Sequence, residues 1–167
     1  MRTGVRVLLA VAAAVAVLVG GFFLLTHRAT VTTNAMDPTL KNGDHVAVFR
    51  FQNRFGSPGR KDVVLLKPEP QGPCRTSNVG RIVGRPGEKV EDRQGVLFVD
   101  GNLLPESYVA VARRDDRTQT WHVPADAYLV LGDNRRSRCA VVGLVPKQDV
   151  VGTVFLTYWP ADRISVG

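Results

Sequence analysis

Hydrolytic chemistry in this chain would have to use Thr32, Thr33, Ser77 or Ser137 as its nucleophile, and a nucleophilic hydroxyl needs a base within hydrogen-bond reach. No hydroxyl and base stand at motif spacing: Lys61, Lys67 and Lys89 read as solvated loop or strand-end charges. His27, His45 and His122 show no ligand spacing and read as interface, strand or loop side chains. Cys74 and Cys139 form no Cys-x-x-Cys unit, so neither a zinc nor a redox motif is supported, and no metal or cofactor is expected. Two such thiols outside the cytoplasm suit a disulfide, with two unpaired buried thiols as the alternative. The segment Asn34-Ala35-Met36-Asp37-Pro38-Thr39-Leu40 has the look of a built turn, yet Ala35 at its centre offers only a methyl group.

These residues need elements to hold them. Residues 7–26 form an uncharged run of Ala, Val, Leu and Phe between Arg6 and His27. At 1.5 Å per residue such a run spans roughly 30 Å, the thickness of a bilayer core. A cleavable leader would need small residues at its exit, and Leu24-Leu25-Thr26-His27-Arg28 has no small-x-small step. The run is therefore expected to be a single transmembrane anchor. Arg2, Arg6 and the short leading tail put the N-terminus in the cytoplasm and the main domain outside the cell membrane.

Residues 1–28 are thus expected to be tail and anchor, and 29–167 one folded domain. With Arg2, Arg6 and Arg28 set aside from the 22 basic residues, 19 face 15 acidic ones, a net of +4. Such a mild surplus fits membrane-lipid headgroups or simply a solvated surface. Arg135-Arg136-Ser137-Arg138 has no interleaved aromatics, so nucleic acid is not an expected partner.

After the anchor the pattern becomes short alternating segments between Gly, Pro and Asp. Strands are expected at 45–49, 63–66, 81–83, 96–99, 121–123, 128–131 and 150–158, with loops at 52–61 and 68–78. Asp100-Gly101 is a pair favoured in tight hairpins. No strong amphipathic helix is expected after Arg28. The fold class is mostly β, an antiparallel domain behind one transmembrane helix.

Four segments resemble type I signal peptidases, membrane-anchored Ser/Lys endopeptidases that remove signal peptides from exported proteins. They are 35–40; Gly43-Asp44-His45-Val46; Gly80-Arg81-Ile82-Val83-Gly84-Arg85-Pro86-Gly87-Glu88; and Gly132-Asp133-Asn134-Arg135 followed by Gly143-Leu144-Val145-Pro146. Their order, the hairpin at 95–101 and the preceding apolar run extend the resemblance over nearly the whole chain. In that family a Ser precedes Met-x-Pro-Thr-Leu and a Lys precedes Arg-x-x-Gly-x-Pro-Gly. Here those positions are Ala35 and Gly80.

The resemblance implies that nucleophile and base are both missing, so a signal peptidase-like protein without catalysis is expected. It would act by binding signal peptides or another membrane protein. The alternatives are an active peptidase using one of the hydroxyls above, or a structural or chaperone subunit with a vestigial cleft. Thr33 and the Ala35 N–H match the family's oxyanion-hole donors, although Thr33 also suits a strand.

Met36 matches an apolar residue beside the substrate cleft, or packs in a core. Pro38-Thr39 reads as a turn lock, its hydroxyl satisfying a nearby backbone group. Asp133 and Asn134 belong to the Gly-Asp-Asn-Arg motif, and Ser137 matches the hydroxyl that orients the base. The family's supporting Asp and Arg after that hydroxyl have no clear counterpart here. The segments carrying Cys74 and Cys139 converge on the base in the family, which implies a Cys74–Cys139 disulfide across the vacated site.

Overall fold

A computed structural model describes residues 9, 11–17, 20–21, 26–50, 56–67, 79–110, 118–137 and 141–166. Residues 11–17 are helical. Among the described residues no helix is long and apolar enough to cross a membrane, and much of the 7–26 run lies outside them. Cys74, Ser77, Arg138 and Cys139 also lie outside, as does the 68–78 loop.

The described chain forms twelve strands, every pairing between them antiparallel. In chain order they are β1 Thr26–Thr30, β2 His45–Phe49, β3 Val63–Leu66, β4 Val79–Gly84, β5 Lys89–Arg93, β6 Val96–Val99, β7 Asn102–Leu103, β8 Thr118–His122, β9 Ala127–Leu131, β10 Val141–Pro146, β11 Val150–Trp159 and β12 Ser165–Val166. The larger sheet runs β1-β2-β11-β3-β4-β9-β10, with β12 beside β11; the smaller runs β7-β6-β5-β8.

The run Val63-Val64-Leu65-Leu66 shows why this sheet is central. A strand alternates its side chains between faces, and here both faces are covered. Leu65 packs with Val46, Val48 and Val154, whereas Val64 and Leu66 pack with Ile82, Tyr128 and Val130. Continuous apolar sequence is what two covered faces require. Val83, Leu129 and Leu131 pack instead against Val90, Leu97 and Val99 of the small sheet. Gly84 lies at that junction. A Cβ there would stand 2.8 Å from Val90 Cγ2 and 3.0 Å from Leu129 Cβ, so only glycine lets the two sheets approach.

The seven expected strands are present, β2, β3 and β6 with the expected ends and the others with shifted ones; β7 is the second arm of the expected Asp100-Gly101 hairpin, and four strands were not expected: β1, β5, β10 and β12. The sheet therefore starts at Thr26, inside the segment assigned to the anchor. Lys89-Val90-Glu91-Asp92-Arg93 carries only one apolar residue, Val90, and that one faces the core. Its outward Glu91 instead pairs with Lys89 and Arg93. These partners, Lys89 first, hold the Glu91 carboxyl below its usual pKa.

The Asp100-Gly101 hairpin is present: φ is +49° and +82°, the pair of left-handed values that a two-residue mirror-image turn needs. Gln94-Gly95 makes the same turn between β5 and β6, with φ of +55° and +85°.

Candidate functional site

Two hydrogen bonds hold the segment before Ala35. The Val31 N–H donates to the Asp44 carbonyl and the Gly43 N–H to the Val31 carbonyl, each at 2.8 Å. Asp44 itself is buried and accepts from the Lys41 N–H at 2.8 Å and Arg163 Nε at 2.9 Å, which ties the turn to the C-terminal segment. Residues 35–39 then turn, closed by the Leu40 N–H on the Met36 carbonyl at 3.0 Å. Met36 and Leu40 plug this turn into the core beside Val31, Val46 and Val48. Met36 is 1% exposed and packs in the core, one of its two expected roles.

Beneath the turn lies a floor of buried charge. Asp133 is fully buried and receives a fork from Arg81, Nε to Oδ1 at 2.8 Å and Nη2 to Oδ2 at 2.5 Å. The Thr39 hydroxyl donates to Asp133 Oδ2 at 2.5 Å, so it satisfies a carboxylate 94 residues away and not a nearby backbone group, as the turn-lock reading had it. The other guanidinium nitrogen of Arg81, Nη1, donates to the Lys61 carbonyl at 2.8 Å. A planar guanidinium opposite a carboxylate is the geometry in which two charges tolerate burial. Arg135 is buried too, bonding the Gly132 carbonyl through Nε at 2.8 Å and pairing with Glu106.

Above the floor, at the rim, the bonds between the two segments are made by neutral groups. The Asn134 N–H donates to the Ala35 carbonyl at 2.9 Å and Asn134 Nδ2 to the Asn34 carbonyl at 3.0 Å. The Ser137 hydroxyl lies 3.2 Å from Asn34 Oδ1, an amide oxygen with no useful basicity. Because Asp133 holds Arg81 while its neighbour Asn134 holds Ala35, the segments carrying Gly80 and Ala35 meet at one place. The Ala35 N–H donates to the Thr33 hydroxyl at 3.4 Å, so one of the two expected oxyanion donors is directed at the other. Ala35 and Gly80 are both buried.

The structure thus gathers Thr33, Ala35, Asn134 and Ser137 at the rim, Asp133 in the floor and Met36 in the core, while Pro38 sits exposed on the turn between them. Lys61 is an exposed turn residue, Lys67 pairs with Asp149, and Lys89 lies on the small sheet with Glu91. The sequence reading quoted Arg81 and Arg135 within motifs without assigning them work, and it missed Glu106 and Tyr108 altogether. Buried charges inside motif segments were the available signal for the arginines. Glu106-Ser107-Tyr108 carries no comparable local signature.

The family model described as signal peptidase, peptidase S26 matches residues 3–159. The chain is 33% identical over 146 residues to signal peptidase I P of Bacillus subtilis subsp. natto, covering 80% of this chain and 77% of that protein. It is 30% identical over 141 residues to a probable signal peptidase I-2 of Synechocystis sp., covering 81% of this chain but only 64% of that relative's length. A crystal structure of a signal peptidase I from Enterococcus faecalis aligns over 60% of this chain and 98% of that one, with 29% identity and a TM-score of 0.47.

Proposed function

Because the chain belongs to the signal peptidase family, peptidase S26, we propose that it is a catalytically silent member that binds signal peptides of exported proteins without cutting them. One observation carries this reading: the buried Arg81–Asp133 pair and the Thr39 hydroxyl bond that caps it are complete, while the nearby positions that the motifs assign to nucleophile and base are Ala35 and Gly80. Nucleophile and base work as a unit, and loss of either typically costs on the order of 10⁶ in kcat. The half-buried, neutral Thr33, Asn134 and Ser137 carry hydrogen-bonding groups of the kind that a peptide backbone uses.

The reading places the chain at the cell membrane on one N-terminal span, N-terminus cytoplasmic, with the β domain outside and lipid around the anchor. The uncharged 7–26 run and the described helical residues 11–17, with Val11, Val15 and Val17 exposed, support it. Protease added to the outer face of intact cells should digest the domain; protection until lysis would remove the topology.

The function is tested with purified full-length protein in detergent, a secretory precursor and a fluorescent signal peptide. Saturable peptide binding with no cleavage above a detergent blank is expected. Ala35→Ser alone should not restore cleavage, because a serine without a base stays protonated at neutral pH. Cleavage that survives single replacement of Thr32, Thr33, Ser77 and Ser137 would show that the catalytic positions are misassigned. No binding and no cleavage would favour a structural subunit with a vestigial cleft.

A further inference from the structure

The connection after β7, residues 104–110, leaves the small sheet and reaches the floor of the site. Its Glu106 pairs with Arg135, and the same carboxylate oxygen accepts the Tyr108 hydroxyl at 2.8 Å. Tyr108 in turn lays its ring on Arg81, whose guanidinium carbon is 4.1 Å from the ring centre. Arg81 therefore has Asp133 and the Lys61 carbonyl at its edges and an aromatic ring on its face. Two buried arginines are balanced by two carboxylates: Asp133 follows β9, in the same sheet as Arg81, whereas Glu106 reaches Arg135 from the connection after the small sheet's β7. Burial first, and then the Glu106 charge, push the Tyr108 hydroxyl above the usual phenol range, so it remains a neutral donor.

We propose that Glu106 and Tyr108 are positioning residues, through which the small sheet holds the 132–137 turn against Asn34 and Ala35. The physical link is Arg135. Its side chain is only 7% exposed, and without the Glu106 charge its remaining partner among the described residues is the Gly132 carbonyl. A buried cation without a counter-charge turns toward water and takes its backbone with it. The residue before it donates to the Ala35 carbonyl, and Ser137 donates to the Asn134 carbonyl at 2.9 Å, so these bonds loosen first.

Hydrogen exchange on the full-length protein in detergent tests this, comparing amides of 132–137 with those of 127–131 in β9. Glu106→Gln should speed exchange in 132–137 about 10–100-fold, the weight of one charge-assisted hydrogen bond, and leave 127–131 unchanged. The double variant Glu106→Gln with Arg135→Gln should return close to the parent, since both buried charges are then gone together. Tyr108→Phe, which keeps the ring on Arg81 but loses the hydroxyl, should give a smaller rise confined to 132–137, and it carries the test should Glu106→Gln not fold.

Unchanged exchange in 132–137, an equal rise in both segments, or no recovery in the double variant would overturn the proposal. That the held turn lines a peptide cleft rests on the reading above and has a separate readout. The fluorescent signal peptide should bind Glu106→Gln about 10-fold more weakly than the parent, by the same argument. If the parent binds no peptide, that reading fails while the exchange result still decides the role of Glu106 and Tyr108.

Discussion

The floor and the rim of the site meet between two consecutive residues, and they are built on opposite principles. Asp133 belongs to the floor: fully buried, charged, and matched by the Arg81 fork and the Thr39 hydroxyl. Asn134 belongs to the rim, half-buried and neutral, spanning the carbonyls of Asn34 and Ala35. A buried ion cannot lose its partner without leaving an uncompensated charge, so the floor resists piecemeal change. The groups that would do chemistry are under no such constraint. A methyl group at 35 and a hydrogen at 80 leave no charge unpaired, and sites relieved of catalytic residues are commonly no less stable.

Asp133→Ala should separate the two regions most sharply. It strands a nearly buried guanidinium, and a loss of about 3–5 kcal/mol is expected in the denaturant midpoint at constant m-value. Met36→Ala, in the core directly under the turn, should lower stability by about 2–5 kcal/mol, and a cost near zero would return Met36 to a cleft wall. At the rim, Asn134→Ala removes hydrogen bonds that water can replace, so about 1 kcal/mol is expected. A rim substitution as costly as Asp133→Ala would abolish the contrast between floor and rim.

The smallest effect belongs to Glu91, far from both regions, where Lys89 and Arg93 hold the carboxyl below its usual pKa. A depressed carboxyl stabilises the fold above its unfolded-state pKa and loses that contribution as pH falls through the folded value. Glu91→Gln should thus lower Tm slightly at pH 7 and not at all at the acid end. The difference should also shrink in high salt, because the pair is near the surface.

What the sequence determined follows from local rules. Alternation placed β2, continuous apolar runs placed β3 and β6, and Asp100-Gly101 closed a hairpin that needs two left-handed residues. The motif strings pointed to the family and to the residues that now surround Ala35. β5 stayed hidden because its single inward residue, Val90, gives no alternation to read, and its hairpin is closed by the less favoured Gln94-Gly95. Only the tertiary structure decided the partners.

The tertiary fold sent the Thr39 hydroxyl to Asp133, settled Met36 in the core, and brought Glu106 and Tyr108 from the other sheet onto Arg135 and Arg81. The reason is physical. Turn and strand preferences depend on neighbours in the chain, whereas pairing buried charges depends on which distant segments meet. That meeting is fixed by the packing of the two sheets across Gly84 and not by any spacing along the sequence.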